Sequence, residues 1–138
     1  MELADRVVEL RRVKGSDLIP NRSNYRLHPT QQRSALAGVL QQVGMASALI
    51  GRETPNGIEL IDGHLRAEDY GDTDWPVLIV DVSEAESKLL LATMDPLAAL
   101  AEQDGDALRK LVGELDAAEA VRTDAGSGGP RRRAGCAE

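Results

Sequence analysis

The chain is predicted to fold as α+β: a small mixed β-sheet flanked by helices, with a C-terminal helical hairpin. Short runs of β-branched or continuous apolar residues recur at 7–13, 48–53, 58–61 and 75–81, with the length and composition of strands. Between and beyond them, apolar residues fall at i, i+3, i+4 and i+7, the spacing of one helix face. Glycine, proline and asparagine stand at the junctions, where the chain must turn.

Val7, Val8, Leu10 and Val13 alternate only in part with charged residues and read as the first strand. The following loop, 14–28, holds Gly15, Pro20, Asn21 and Asn24 with two serines, all turn residues. Pro29 suits the first helical position. Leu36, Val39, Leu40 and Val43 then form a stripe that Gly44 stops. Residues 48–53 and 58–61 read as a hairpin around Pro55-Asn56-Gly57, and Gly63 opens a helix that runs to about Tyr70. Pro76 in the next apolar run argues for an edge strand or a strand start. Ser83 and Glu86 form a capping box for a helix through about Ala92. Asp95-Pro96 restarts a helix, Gly105 interrupts it, and Leu108, Leu111, Val112 and Leu115 mark the last amphipathic segment, to about Ala120.

The length of 138 residues and a hydrophobic content of 42% suit one folded body with a modest core. Aromatic residues are Trp75, Tyr25 and Tyr70 only, so the core is expected to come from Leu, Val, Ile and Ala, with Tyr25 packed into it. The single cysteine, Cys136, excludes an internal disulfide and suits a reducing, cytoplasmic setting. No apolar run is long enough to span a bilayer, and the N-terminus lacks a basic-then-apolar leader pattern. Residues 1–33 carry seven basic and four acidic side chains, residues 34–121 five and seventeen, and residues 122–138 four and two. An acidic middle repels phosphates, so contacts to nucleic acid or nucleotide should come from the basic N-terminal segment and Arg66.

Asp62-Gly63-His64-Leu65-Arg66 ends an apolar strand and opens a helix. Glycine there permits close approach of a ligand, and a helix start offers unpaired N–H groups to an anion. Arg66 adds a charged fork for phosphate. A tight strand-to-helix turn with a surface arginine is the other reading of the same residues. In the loop, Asn21 and Asn24 can simply make Asx turns. Asp62 suits a hydrogen bond from a backbone N–H or a ribose hydroxyl. Tyr25 could also stack on a base. Two histidines without a cysteine cluster do not supply three convergent metal ligands, and no paired carboxylates assemble a metal-dependent nuclease site.

Three segments occur in a telling order. They are Asp17-Leu18-Ile19-Pro20-Asn21-Arg22-Ser23-Asn24-Tyr25-Arg26, then the Asp-Gly-His-x-Arg box at 62–66, then Trp75-Pro76-Val77-Leu78-Ile79-Val80-Asp81. Over residues 7–95 the chain resembles the ParB N-terminal-like domain of the ParB/sulfiredoxin superfamily. Within that superfamily it is most similar to versions found in phage proteins and beside DNA methylases. The resemblance implies a ParB/sulfiredoxin-like domain at 1–95; the apolar spacing adds a helical hairpin packed on it at 96–121, and the Gly- and Arg-rich composition without periodicity a disordered tail at 122–138. It implies a nucleoside triphosphate, CTP or ATP with Mg2+, held by Gly63, His64, Arg66, Arg26, Asp62 and Asn24, with Arg26 folded toward Arg66. It implies a nucleotide- or phosphate-binding module in a DNA transaction such as phage DNA modification or partition. DNA would be reached indirectly or through a partner such as a DNA methyltransferase, with no membrane involved. A non-catalytic docking module for such a partner, or a weak NTPase, are the alternatives. Position 64 holds histidine where sulfiredoxins have their catalytic cysteine and partition proteins a glutamate, so sulfiredoxin-type reduction is excluded and CTP switching is in doubt. Leu65 replaces a basic or imidazole side chain, and no Asn-x-x-Arg motif falls near residues 94–97.

Overall fold

A computed structural model describes residues 1–99 and 105–124. It contains β1 (Val7–Lys14), a 3-10 turn (Gly15–Asp17), α1 (Thr30–Gln42), β2 (Leu49–Thr54), β3 (Gly57–Asp62), α2 (His64–Asp69), β4 (Asp74–Val80), α3 (Glu84–Ala99) and α4 (Gly105–Asp124). The strands form one mixed sheet in the order β1-β4-β2-β3. β1 pairs antiparallel with β4, β2 antiparallel with β3, and β2 parallel with β4. The α+β reading therefore holds.

Local chemistry explains most junctions. Thr54 Oγ1 donates to the Gly57 carbonyl at 2.8 Å and accepts from the Asn56 N–H at 3.2 Å, closing the β2–β3 hairpin. The Ser83–Glu86 capping box forms reciprocally: the Ser83 N–H donates to Glu86 Oε1 at 3.0 Å and the Glu86 N–H donates to Ser83 Oγ at 3.1 Å. Arg6 lies against the same carboxylate at 2.9 Å, and these contacts, Arg6 first, pull the Glu86 carboxyl down to about 2. Pro29 is the N-cap of α1, one position before the expected first turn, and its carbonyl accepts from Gln32 and Arg33.

The core lies on one face of the sheet and comprises Leu18, Leu49, Ile58, Leu60, Ala67, Trp75, Val77 and Ile79. Burying aliphatic and aromatic side chains of this size stabilises the fold by about 1.5–3 kcal/mol each before entropy is counted. Trp75 is its largest member, so an all-aliphatic core was the wrong expectation. The indole can be buried because its N–H donates to the Tyr70 carbonyl at 3.1 Å, and the two rings meet edge to face at 6.4 Å. Tyr25, expected to pack inside, is instead exposed. Ile61, Leu91 and Ser87 are fully buried outside this cluster.

Four further expectations are corrected. Pro76 is the third residue of a strand that is interior to the sheet. It is tolerated there because β2 pairs with β4 only from Val77 onward. The helix expected to stop near Ala92 and restart at Asp95-Pro96 is one element, α3, running through Pro96 to Ala99. The leucines and alanines around Pro96 favour the helix strongly enough to carry it past one missing N–H donor. The boundary expected at 95/96 moves accordingly, since the chain divides into compact units Met1–Ala99 and Leu100–Glu138. In the second unit α4 extends to Asp124, so the start of the segment expected to be disordered, 122–124, is helical. The rest of that tail lies outside the described residues. Among the described residues, no helix is long and apolar enough to cross a membrane.

Candidate functional site

β3 ends at Asp62 and the chain turns into α2 through Gly63, which has φ 103° and ψ 20°. That left-handed conformation favours glycine. A Cβ at this position would also run into the Leu49 side chain. Gly63 thus serves the packing of the turn on the core, a role that the anion-site reading did not need. α2 has six residues, under two turns, so its dipole is small. Any anion held here would depend on side chains.

Those side chains converge. A cavity of about 410 Å³ is walled by Arg26, His28, Gln32, Ala35, Leu36, Val39 and residues 62–66. Arg26 Nη1 lies 3.3 Å from Asp62 Oδ1, and Arg66 Nη2 lies 3.7 Å from Asp62 Oδ2. Asp62 therefore stands between two guanidinium groups whose side chains are about five-sixths buried. Arg66 Nη1 also donates to Ser47 Oγ at 2.7 Å, which fixes its fork. Gln32 Oε1 and His28 Nδ1 are 3.0 Å apart on the α1 side.

His64 is the most constrained group. It is buried, and its Nε2 accepts the Asn21 backbone N–H at 3.1 Å. An amide can only donate, so the ring is neutral and carries its proton on Nδ1. Nδ1 is buried without a hydrogen-bond partner. Burial, reinforced by the Arg26 charge, pushes the imidazole below its ordinary value. In this geometry Nε2 is committed to holding the loop.

Five of the six expected residues, Gly63, His64, Arg66, Arg26 and Asp62, share this cavity. Asn24 does not. Its Oδ1 accepts from the Arg26 N–H at 3.4 Å and its own N–H donates to the Asn21 carbonyl at 3.0 Å, so it shapes the loop as an Asx turn. It lines a separate cavity of about 350 Å³ beside Ser16, Pro20, Glu68 and the other side of His64. Asn21 makes a similar turn to Ser23 at 2.9 Å. Ser47, His28, Gln32 and the apolar wall of Leu36 and Val39 were missed. Of these, only the helical stripe containing Leu36 and Val39 had a signal in the sequence. Among the described residues, no three His, Cys, Asp or Glu side chains come together as metal ligands.

The structure is similar to the C-terminally truncated chromosome-partitioning protein ParB from Caulobacter crescentus, complexed with CTP-gamma-S. The TM-score is 0.57 at 14% identity, covering 77% of this chain and 61% of that one. It is similar to sulfiredoxin from Arabidopsis thaliana, with a TM-score of 0.50 at 13% identity, covering 61% of this chain and 98% of the other. A Pnob8-like ParB-N domain matches with a TM-score of 0.51 at 17% identity, covering 86% of this chain and 49% of that one. The fold is the ParB/sulfiredoxin fold. The chain spans about three-fifths of the Caulobacter structure and about half of the Pnob8-like one. No family model and no curated protein matches the sequence. On the ParB/sulfiredoxin fold as built here, residues 62–66 and the Arg26 loop face one another across the cavity.

Proposed function

We propose that this chain is a ParB-like nucleotide- or phosphate-binding module working in a DNA transaction, of the phage-modification or partition kind. One observation carries the reading: Arg26 and Arg66 converge on a single cavity that His64 and Asp62 also line. Two guanidinium forks match the acceptor-only oxygens of a polyphosphate. The volume suits a small ligand. The CTP-gamma-S complex of the Caulobacter ParB, which shares the fold, supports a nucleoside triphosphate as that ligand. Mg2+ would then arrive on the phosphates, because the cavity offers Asp62 as its one carboxylate.

Asp62 sets the terms of binding. Its carboxylate pairs with both arginines, so a phosphate bound there competes with it for them. A docking module for a DNA methyltransferase or similar partner is the second reading, favoured by the exposure of Leu27, Val39, Val43 and Met45 on and around α1.

Calorimetry with the four ribonucleoside triphosphates and Mg2+ tests the choice. The wild type should bind one of them. Arg66→Ala should weaken binding by on the order of 1.5–3 kcal/mol, the value of a charge-assisted hydrogen bond. Asp62→Asn should tighten it about tenfold, ~1.4 kcal/mol, by releasing the arginines. Absence of binding at millimolar nucleotide, or an unchanged affinity in Arg66→Ala, would leave the docking reading in its place.

A further inference from the structure

The two edges of the sheet are treated differently. Along β3 the outer edge is covered by the segment after the 3-10 turn: the Ile19 N–H donates to the Ile58 carbonyl at 2.8 Å, and the Leu60 N–H donates to the Ile19 carbonyl at 2.8 Å. β1 forms the opposite edge and pairs only with β4 among the described residues. Its apolar side chains are correspondingly open, with Val8 at 62% and Leu10 at 53% exposure. A strand edge with free N–H and C=O groups is a template for another strand unless something guards it. The guards here are the register shift between Val7 and Glu9 and the charges of Glu9, Arg11, Arg12 and Lys14.

Those charges do not repel in every register. Side chains directly opposite one another in an antiparallel pair lie on the same face of the sheet. A twofold axis normal to the sheet preserves faces, so two copies of β1 can meet only with one residue facing its own counterpart. Centred on Glu9, the two carboxylates meet; centred on Arg11 or on Arg12, two guanidinium groups meet. Centred on Leu10, the leucines meet and Glu9 faces Arg11 on both sides of the axis, giving two attractive pairs. The register shift between Val7 and Glu9 ends the regular alternation there, so the pairing about Leu10 is defined over Glu9, Leu10 and Arg11.

We propose that β1 is a self-association edge: two copies of this chain pair antiparallel through β1 about a twofold axis at Leu10, fusing two four-stranded sheets into one. Glu9 and Arg11 already lie in contact within one chain, and Arg11 reaches Glu53 at 2.8 Å. The side chains that would set the register are therefore held on the strand before it pairs. The inference rests on the edge and its charge pattern, and is independent of the nucleotide reading.

Sedimentation equilibrium of the full chain, from about 1 µM to about 1 mM, reads the result on the scale of a modest interface. A reversible dimer is expected. Leu10→Lys places two ammonium groups at the axis and should weaken it by about tenfold or more. Glu9→Arg alone and Arg11→Glu alone should each be monomeric. An equimolar mixture of these two variants should form a heterodimer. One chain then carries two guanidinium groups at positions 9 and 11 and the other two carboxylates, so both contacts across the axis are attractive. Thermal melts check that each variant is folded. If Arg11→Glu is unstable beside Glu53, the Leu10→Lys and Glu9→Arg arms decide. A wild type that stays monomeric at about 1 mM overturns the proposal, as does a dimer that survives Leu10→Lys and Glu9→Arg or variants that do not complement when mixed.

Discussion

Leu49, Leu60, Trp75, Val77 and Ile79 in the sheet are all but sealed from solvent, whereas no residue of α1 is buried and Val39 and Val43 are 56% and 70% exposed. The end of β3 with α2, and α1, wall the same cavity. The β3–α2 floor holds Asp62, Gly63, His64 and Arg66 on a packed core, where positions are fixed by close contact. The α1 wall meets the core through the partly buried Leu40 and is tied to α2 through charge: Arg33 pairs with Asp69 and lies 3.7 Å from Glu68. Exposed ion pairs of this kind contribute little, and a helix with little buried area opens at low free-energy cost. A cavity with a packed charged floor and a lightly held apolar wall can adjust its width without moving Arg66.

The floor should break hardest at its turn. Gly63→Ala must hold an L side chain at a left-handed backbone angle and press a Cβ against Leu49. Strain and overpacking together should cost about 2–5 kcal/mol of unfolding free energy, measured by urea denaturation. A loss below about 1 kcal/mol would mean that the turn relaxes and the floor is softer than its packing implies.

Much of that floor was legible in the sequence, because its signals are local. The strand runs, the Pro55-Asn56-Gly57 turn, the Gly63 helix start and the Ser83–Glu86 box each depend on residues within one or two turns of each other. The site's wiring was not legible. Arg66 finds Ser47 across 19 residues, Arg26 finds Asp62 across 36, and His64 takes the Asn21 amide across 43. No period in the sequence announces such pairs. The resemblance placed Asn24 in the site with Arg26, yet the Asx turn between them leaves the two side chains lining different cavities. The stripe on α1 predicted a buried face; the helix formed, but the stripe's residues stay half or more exposed at Val39 and Val43, since helix periodicity records amphipathicity and says nothing of how closely a face is covered.

The second test separates the floor's loop contact from its packing. His64 is held below its ordinary value of 6.5 by burial first and by the Arg26 charge second. His28 adds to the lowering, while Asp62 and Glu59 oppose it. The unfolded chain therefore takes up the proton more readily than the folded one. Stability from this residue is complete above pH 6.5 and is lost as pH falls through the folded value. Protonation also removes the acceptor that holds the Asn21 N–H. Unfolding free energies measured across this range should fall with pH in the wild type and fall less steeply in His64→Gln. Equal slopes would show that the ring is protonated in the fold without cost, and that the Asn21 contact is not maintained.

The smallest effect should come from the wall. Val43→Ala at the C-cap of α1 and Val77→Ala in β4 delete the same two methyl groups from sites that contrast in burial, 70% against 0% exposed. Val77→Ala opens a cavity beneath Trp75 and Ile79 and should cost about 2 kcal/mol or more. Val43→Ala should stay within about 0.5 kcal/mol, as surface changes do, and alanine's better helix propensity could even offset the loss. Paired thermal or urea melts give both numbers in one experiment. If Val43→Ala costs as much as Val77→Ala, the exposed face of α1 is covered in solution, and the contrast between a packed floor and a loose wall disappears.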